Sequence, residues 1–228
     1  MASGSKGNAT LIRDGKTSLL LDAGIAIREL DKRTGFTLSD VSGCLISHEH
    51  ADHCKAVKAI AMRGIDVYSS AGTLGKLGLT GHRYKAMPPH NSVTINTLRV
   101  VAFDVRHDAA EPFGFLVESI ATGDRLVYFS DTAFVKYRFD GLTHIVAECN
   151  HGELELRESV RNGTLAPELA VRIAKNHMGV ERLVEMLEAN DLSRLRAVYL
   201  IHMSERNGDK ARFRQTVQRA TGAEVYAF

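Results

Sequence analysis

A chain of 228 residues with 44% apolar and 25% charged side chains has the make-up of a globular protein with ample core. A net formal charge of +2 does not advertise a basic nucleic-acid track, no apolar run reaches the eighteen or so residues that span a bilayer, and no secretory signal opens the chain. Three cysteines, Cys44, Cys54 and Cys149, are too sparse and odd in number for a disulfide scaffold. They read as buried structural thiols in a reducing, cytoplasmic setting, with no membrane partner.

In chain order, the first expected element is a hairpin of Leu11 to Ile12 and Ser18 to Asp22 around Asp14-Gly15. A short helix follows over Ile25 to Lys32, then a buried strand at Cys44-Leu45-Ile46 and a helix from about His53 to Met62. Ile65 to Tyr68 reads as a strand and Ala71 to Leu77 as a helix. Val93 to Ile95, Leu98 to Val105, Phe115 to Ser119 and Arg125 to Phe129 read as an antiparallel run. Beyond it come a strand at His144 to Ala147, two helices between Leu154 and Asn176, and a third from Val180 to Ala189. A strand at Ala197 to Ile201, a helix around Lys210 to Ala220 and a strand at Glu224 to Tyr226 close the chain. Two mixed sheets with helices outside fit this α/β order. No Pro- or Ser-rich linker and no internal repeat divides it, so one domain over 1–228 is expected.

The densest chemistry is Ser47-His48-Glu49-His50-Ala51-Asp52-His53. Neutral imidazole nitrogen and carboxylate oxygen are the ligands of zinc and similar divalent ions. If the strand end stays extended, His48 and His50 project to one side, and Asp52 and His53 on the first helical turn point back at the same space. A purification tag would be terminal and monotonous, whereas this cluster sits between an apolar strand and an amphipathic helix. One segment can therefore serve two neighbouring ions.

The pattern His-x-His-x-Asp-His at 48–53 resembles the signature of the metallo-β-lactamase superfamily, whose members are mostly metal-dependent hydrolases. Later family motifs follow in order: His107 in Val105-Arg106-His107-Asp108-Ala109, Asp131 in Tyr128-Phe129-Ser130-Asp131-Thr132, and His202 in Leu200-Ile201-His202-Met203-Ser204. The resemblance implies an αββα four-layer sandwich. It also implies two divalent ions, zinc first and manganese second, with a water or hydroxide between them as nucleophile. His48, His50 and His107 would hold one ion, Asp52, His53 and His202 the other, and Asp131 would bridge; Asp52 counts among the catalytic residues as well.

Within the family, Asp131 in place of cysteine and the missing leader point away from antibiotic hydrolysis. The stretch from Asp131 to His202 is too short for a β-CASP insertion, and that from His107 to Asp131 has no room for the tRNA-gripping arm of ribonuclease Z. The opening Ala2-Ser3-Gly4-Ser5-Lys6-Gly7-Asn8, with Pro112-Phe113-Gly114-Phe115, Glu148-Cys149-Asn150-His151 and Asn176-His177-Met178, is similar to the YycJ/WalJ-like branch. That branch is associated with DNA exonuclease activity and neighbours phage anti-Pycsar enzymes, which open cyclic nucleotides. Relatives carry a full strand before the Ser-Gly-Ser segment; here Met1 stands almost on it, so that strand is expected to be missing or replaced.

The resemblance makes His177 the proton donor to the departing oxygen, held by Glu148. His151 is expected to line the site or cap the next helix, while His82, His90 and His144 read as structural or exposed. Ser5, Lys6 and Asn8 could reach substrate or support the ligands, and the glycine-rich opening could cradle a phosphate or simply turn the chain. The basic run from Arg206 to Arg219 reads as a solvated helix face. A phosphodiesterase acting on nucleic acid, exonuclease-like, is the leading expectation. A cyclic-nucleotide phosphodiesterase is the alternative, with a compact pocket that a homodimer could complete and Tyr84, Phe113, Phe134 and Tyr137 as candidate aromatic platforms. A metal-stabilised interaction module without turnover is the third.

Overall fold

The computed structural model describes residues 2–4 and 6–228, so the expectation for Ser5 lies outside the described residues. The chain divides into two compact units: the first runs to Asp104 and resumes over Ala109–Gly123, and the second takes Val105–Asp108 and Asp124–Phe228. Its strands fall in two mixed sheets, one of five strands and one of seven.

In the first unit, β1 (Thr10–Arg13) and β2 (Ser18–Leu21) form the expected antiparallel hairpin. Then come α1 (Ile27–Arg33), β3 (Gly43–Leu45), α2 (Ala51–Cys54), α3 (Val57–Met62), β4 (Val67–Ser69), α4 (Ala71–Lys76) and β5 (Tyr84–Ala86). The order β1-β2-β3-β4-β5 continues in parallel from β2 onward. β2 and β3 are buried on both faces, which is why they read as apolar runs without alternation. β5 had no sequence signal, because three half-exposed residues at a sheet edge carry neither an apolar run nor an alternation. β6 (Ser92–Ile95), β7 (Leu98–Asp104) and β8 (Phe113–Ser119) form an antiparallel meander. The core of this unit gathers Leu20, Leu30, Leu38, Cys44, Ile46, Val57, Ile60 and Val67, all at most 4% exposed.

The hairpin turn is held by one carboxylate. Asp14 accepts hydrogen bonds from the amides of Lys16 and Thr17 and from the hydroxyls of Thr97 and Ser119. Burial pushes its carboxyl up, but these four bonds outweigh burial and hold it well below the usual carboxylate range. A depressed folded-state value gives stability that is full above the unfolded value near 3.9 and drains away as pH falls below it. Asp14→Asn is therefore expected to cost about 1–2 kcal/mol in urea denaturation at pH 6, and clearly less at pH 3. An equal cost at both pH values would go against this assignment.

The single helix expected from His53 to Met62 is two helices, α2 and α3, broken at Lys55–Ala56. The physical reason is competition for backbone groups. The Ala56 amide donates to Ala23 O at 2.8 Å instead of to Asp52 O, four residues back. Asp52 O instead accepts the Asn8 amide, and His53 O accepts the Ala23 amide, both at 2.7 Å. Long-range bonds thus unwind the helix at the point where α2 carries the site residues, a tertiary override of local propensity.

In the second unit, β9 (Arg125–Phe129), β10 (His144–Glu148), β11 (Ala197–Ile201) and β12 (Glu224–Ala227) pair in that order, all in parallel. The pairing of β9 with β10 is thus parallel, unlike the meander before it. The helices are α5 (Glu153–Arg161), α6 (Pro167–Asn176), α7 (Val180–Glu188) and α8 (Lys210–Thr221). α7 buries Val180, Leu183, Met186 and Leu187, and α8 buries Phe213 and Val217. α8 starts on an Asp209 cap that accepts the Arg212 amide and ends on Gly222 in the left-handed region (φ 68°), a position glycine fills without Cβ strain. Its basic run is a helix face, as expected, with one exception: Arg212 is partly buried in a two-pronged pair with Glu155, both contacts 2.6 Å.

Candidate metal centre

Each unit carries a cluster of imidazoles and carboxylates at the ends of its strands. In the first, the chain leaves β3 through Ser47 and His48, bends at Glu49 and reaches His50, whose φ of −63° and ψ of 143° are extended just before α2. The His48 ring lies 4.6 Å from that of His50 and 4.2 Å from that of His53. Asp52 Oδ2 is 3.6 Å from His53 Nε2. Four residues of the motif therefore come together as their spacing requires.

What holds them is a residue that sequence reasoning missed. Asp22, fully buried just past β2, accepts the Ser47 amide (2.8 Å) and the Ser47 hydroxyl (2.9 Å), and its Oδ2 is 2.7 Å from His53 Nδ1. A carboxylate only accepts, so His53 carries its proton on Nδ1 and turns the Nε2 lone pair toward the cluster. Ser47 Oγ passes the constraint on to His48 Nδ1, 3.0 Å away. The available signal was an acidic residue ending the apolar strand Ser18-Leu19-Leu20-Leu21.

Four described amides of the glycine-rich opening form a turn and a clasp. The amides of Gly4, Gly7, Asn8 and Ala9 donate to Asn8 Oδ1, Gly4 O, Asp52 O and Ala2 O. Asn8 is buried, with Nδ2 3.0 Å from His53 Nε2, while Lys6 is exposed.

In the second unit, His107 Nε2 stands 3.6 Å from Asp131 Oδ2, and His202 Nδ1 3.4 Å from Asp131 Oδ1. The Ser130 hydroxyl donates to Asp131 Oδ1 at 2.8 Å. Glu148, fully buried at the end of β10, has Oε1 2.6 Å from His177 Nδ1 and 3.0 Å from His202 Nδ1. Its Oε2 accepts the amides of Thr132 (2.9 Å) and Met178 (3.1 Å). One carboxylate therefore sets the tautomer of two rings, which stack with centroids 5.4 Å apart. Donor atoms of Asp131, Glu148, His177 and His202 all lie within 4.8 Å of one another.

His177 arrives there as the C-cap of α6, and the following strand-like pairing fixes it. The Asn150 amide donates to Met178 O, and the Val180 amide donates to His151 O. His151 is buried, and burial pushes its imidazole down to about 4, so it is neutral at pH 7; its Nδ1 has no hydrogen-bond partner among the described residues. The cap of α5 is Gly152, not His151.

Asp22, Asp131 and His202 share a backbone feature: each follows a buried strand and has φ between 50° and 58°. Non-glycine residues in the left-handed region cost about 1–3 kcal/mol each and persist where the surroundings over-determine them. The turn swings each side chain off the strand end toward its cluster.

Burial pulls the His177 imidazole down, but the Glu148 charge and hydrogen bond, aided by Asp131, outweigh it and hold the ring above its ordinary value. Burial likewise pushes Glu148 up, and His177 and the hydrogen bonds from both rings win in the opposite direction, keeping it ionised. Burial also pushes the Cys54 thiol up to about 11 and those of Cys44 and Cys149 well above the ordinary range. All three cysteines are buried and free, the inert state expected of them. The donor set itself fits divalent metal: nitrogen and carboxylate oxygen, largely buried, with the Nδ1 atoms of His53 and His202 taken by carboxylates from behind.

Residues 17–203 match the family model described as the beta-lactamase superfamily domain. The chain is 28% identical to the exodeoxyribonuclease YycJ of Bacillus anthracis over 95% of its own length and 86% of that protein's. It is 29% identical to the exodeoxyribonuclease WalJ of Streptococcus pneumoniae, covering 92% of itself and 82% of WalJ. Its fold is similar to that of the metallo-beta-lactamase fold protein YhfI from Bacillus subtilis, with a TM-score of 0.75 and 16% identity over 99% of this chain and 92% of that one. The expected αββα fold is borne out by this likeness and by two mixed sheets flanked by helices. No helix among the described residues is long and apolar enough to cross a membrane.

Proposed function

The chain belongs to the beta-lactamase superfamily, and from that premise we propose that it is a metal-dependent phosphodiesterase that hydrolyses nucleic acid, exonuclease-like as its relatives are named. The reading takes residues 1–228 as one domain. The residues that would hold divalent metal are His48, His50, Asp52 and His53 of the first cluster and His107, Asp131 and His202 of the second. When bound, two such ions, zinc or manganese, supply Lewis-acid stabilisation of the phosphoryl charge and a lowered water pKa.

The observation that carries the reading is Glu148 between two rings. It orients His202 and His177 through their Nδ1 atoms, from the same oxygen atom. The His177 side chain is 22% exposed, open enough to meet substrate, and the Glu148 charge and hydrogen bond raise its value, which favours the protonated ring an acid needs. With Nδ1 committed to Glu148, Nε2 delivers that proton to the departing oxygen. Asp22 does for His53 what Glu148 does for His202. The three buried thiols suit a cytoplasmic setting.

Purified protein with manganese or zinc, offered single-stranded DNA, RNA and cyclic mononucleotides, tests the reading. Release of mononucleotides from DNA is expected. Turnover of cyclic mononucleotides alone would favour a cyclic-nucleotide phosphodiesterase, and no turnover a non-catalytic module. His177→Ala is expected to slow DNA hydrolysis about a hundredfold and an activated aryl phosphodiester far less, because a good leaving group needs no proton. Equal losses on both would remove His177 as the acid.

A further inference from the structure

Of the four aromatic residues considered as a substrate platform, Phe113 is 1% exposed in the core, and Tyr84 and Tyr137 are half-buried. Phe134 is 58% exposed, three residues after Asp131. A single exposed ring is ordinary on any surface. The way this one is held is not. The Thr132 hydroxyl donates to Phe134 O at 2.9 Å and accepts the amides of Phe134 (3.3 Å) and Arg106 (3.2 Å). The Thr132 amide in turn donates to Glu148, the carboxylate that holds His177 and His202. The backbone under Phe134 is thereby registered to the catalytic cluster while its ring faces solvent.

Cations stand on the neighbouring segments: Arg106 is exposed where its amide meets Thr132, Lys136 is exposed two residues beyond Phe134 with its Nζ over the Tyr137 ring, 5.0 Å from the centroid, and Arg182 Nη1 reaches Ala133 O at 3.5 Å, the residue just before Phe134. An exposed, preorganised aromatic face among cations is how proteins hold unpaired nucleotides: the base stacks and the phosphates are neutralised. A duplex stacks its interior bases on both faces and has a free face only at its ends.

We propose that Phe134 is the stacking platform for the base beside the cleaved phosphodiester, which makes single-stranded polynucleotide, or an unpaired end, the substrate class. This rests on the phosphodiesterase reading above. The test uses the metal-loaded protein with oligothymidylates, intact or carrying one abasic nucleotide at successive positions. It reads KM from cleavage, and affinity from fluorescence anisotropy with a phosphorothioate analogue. Phe134→Ala is expected to raise KM and weaken binding about tenfold, and Phe134→Trp to retain both. One abasic position beside the scissile bond should cost the unsubstituted protein a similar factor and cost Phe134→Ala nothing further. Unchanged binding in Phe134→Ala, or an equal loss on intact and abasic strands, overturns the platform and leaves the hydrolase reading standing. Unsubstituted protein that neither binds nor cuts any strand overturns both.

Discussion

Asp131→Ala is expected to lower phosphodiester hydrolysis by about a thousandfold or more while the fold survives. The carboxylate stands 3.6 Å from His107 Nε2 and 3.4 Å from His202 Nδ1, so its two oxygens face both ends of its cluster. Its backbone is in the left-handed region at φ 50°, which aspartate and asparagine tolerate better than alanine. Asp131→Asn separates the two effects. It keeps the size and the backbone preference but loses the charge, so it should melt close to the unsubstituted protein and still be nearly inactive. Substantial turnover in Asp131→Asn would show that the charge is not what the site uses. Circular dichroism melts beside a single-stranded DNA assay give both readings.

Gly24→Ala is expected to cost about 3 kcal/mol or more in urea denaturation. A Cβ at residue 24 would lie 1.6 Å from Asp52 O and 2.7 Å from the Asn8 nitrogen, both backbone atoms that cannot rotate away. These are the atoms whose 2.7 Å hydrogen bond ends α2 and draws the opening segment against the metal-binding motif. Relief requires moving Asp52 or Asn8, so whatever folded protein remains should also lose activity through His53 and Asp52. A cost under about 1 kcal/mol would mean that the strand-end loop and α2 are not packed as closely as described.

The candidate ligands were legible because the family signature is local and its later motifs sit at the ends of apolar runs. His48, His50, Asp52 and His53 declare themselves within six residues, and His107, Asp131 and His202 follow β7, β9 and β11. Strand positions were legible for the same reason, since buried parallel strands read as unbroken apolar runs. Of the residues that support the candidate ligands, Glu148 and Asn8 were marked by their motifs, but Asp22 was not: it lies far from the motif in the chain and looks like an ordinary strand-end acid until folding brings it to His53. The break between α2 and α3 was hidden because the bonds that make it come from Asn8 and Ala23, outside any local window. Phe134 could be marked as aromatic but not as exposed, which depends on the Thr132 bonds.

Metal content per chain, measured by elemental analysis beside activity, tests the central claim most directly. The account predicts about two equivalents of zinc or manganese per chain, at most about one in Asp131→Asn, and DNA hydrolysis that disappears on chelation and returns with added metal. Protein that hydrolyses DNA at full rate after complete metal removal, or that binds no divalent metal at all, would contradict it.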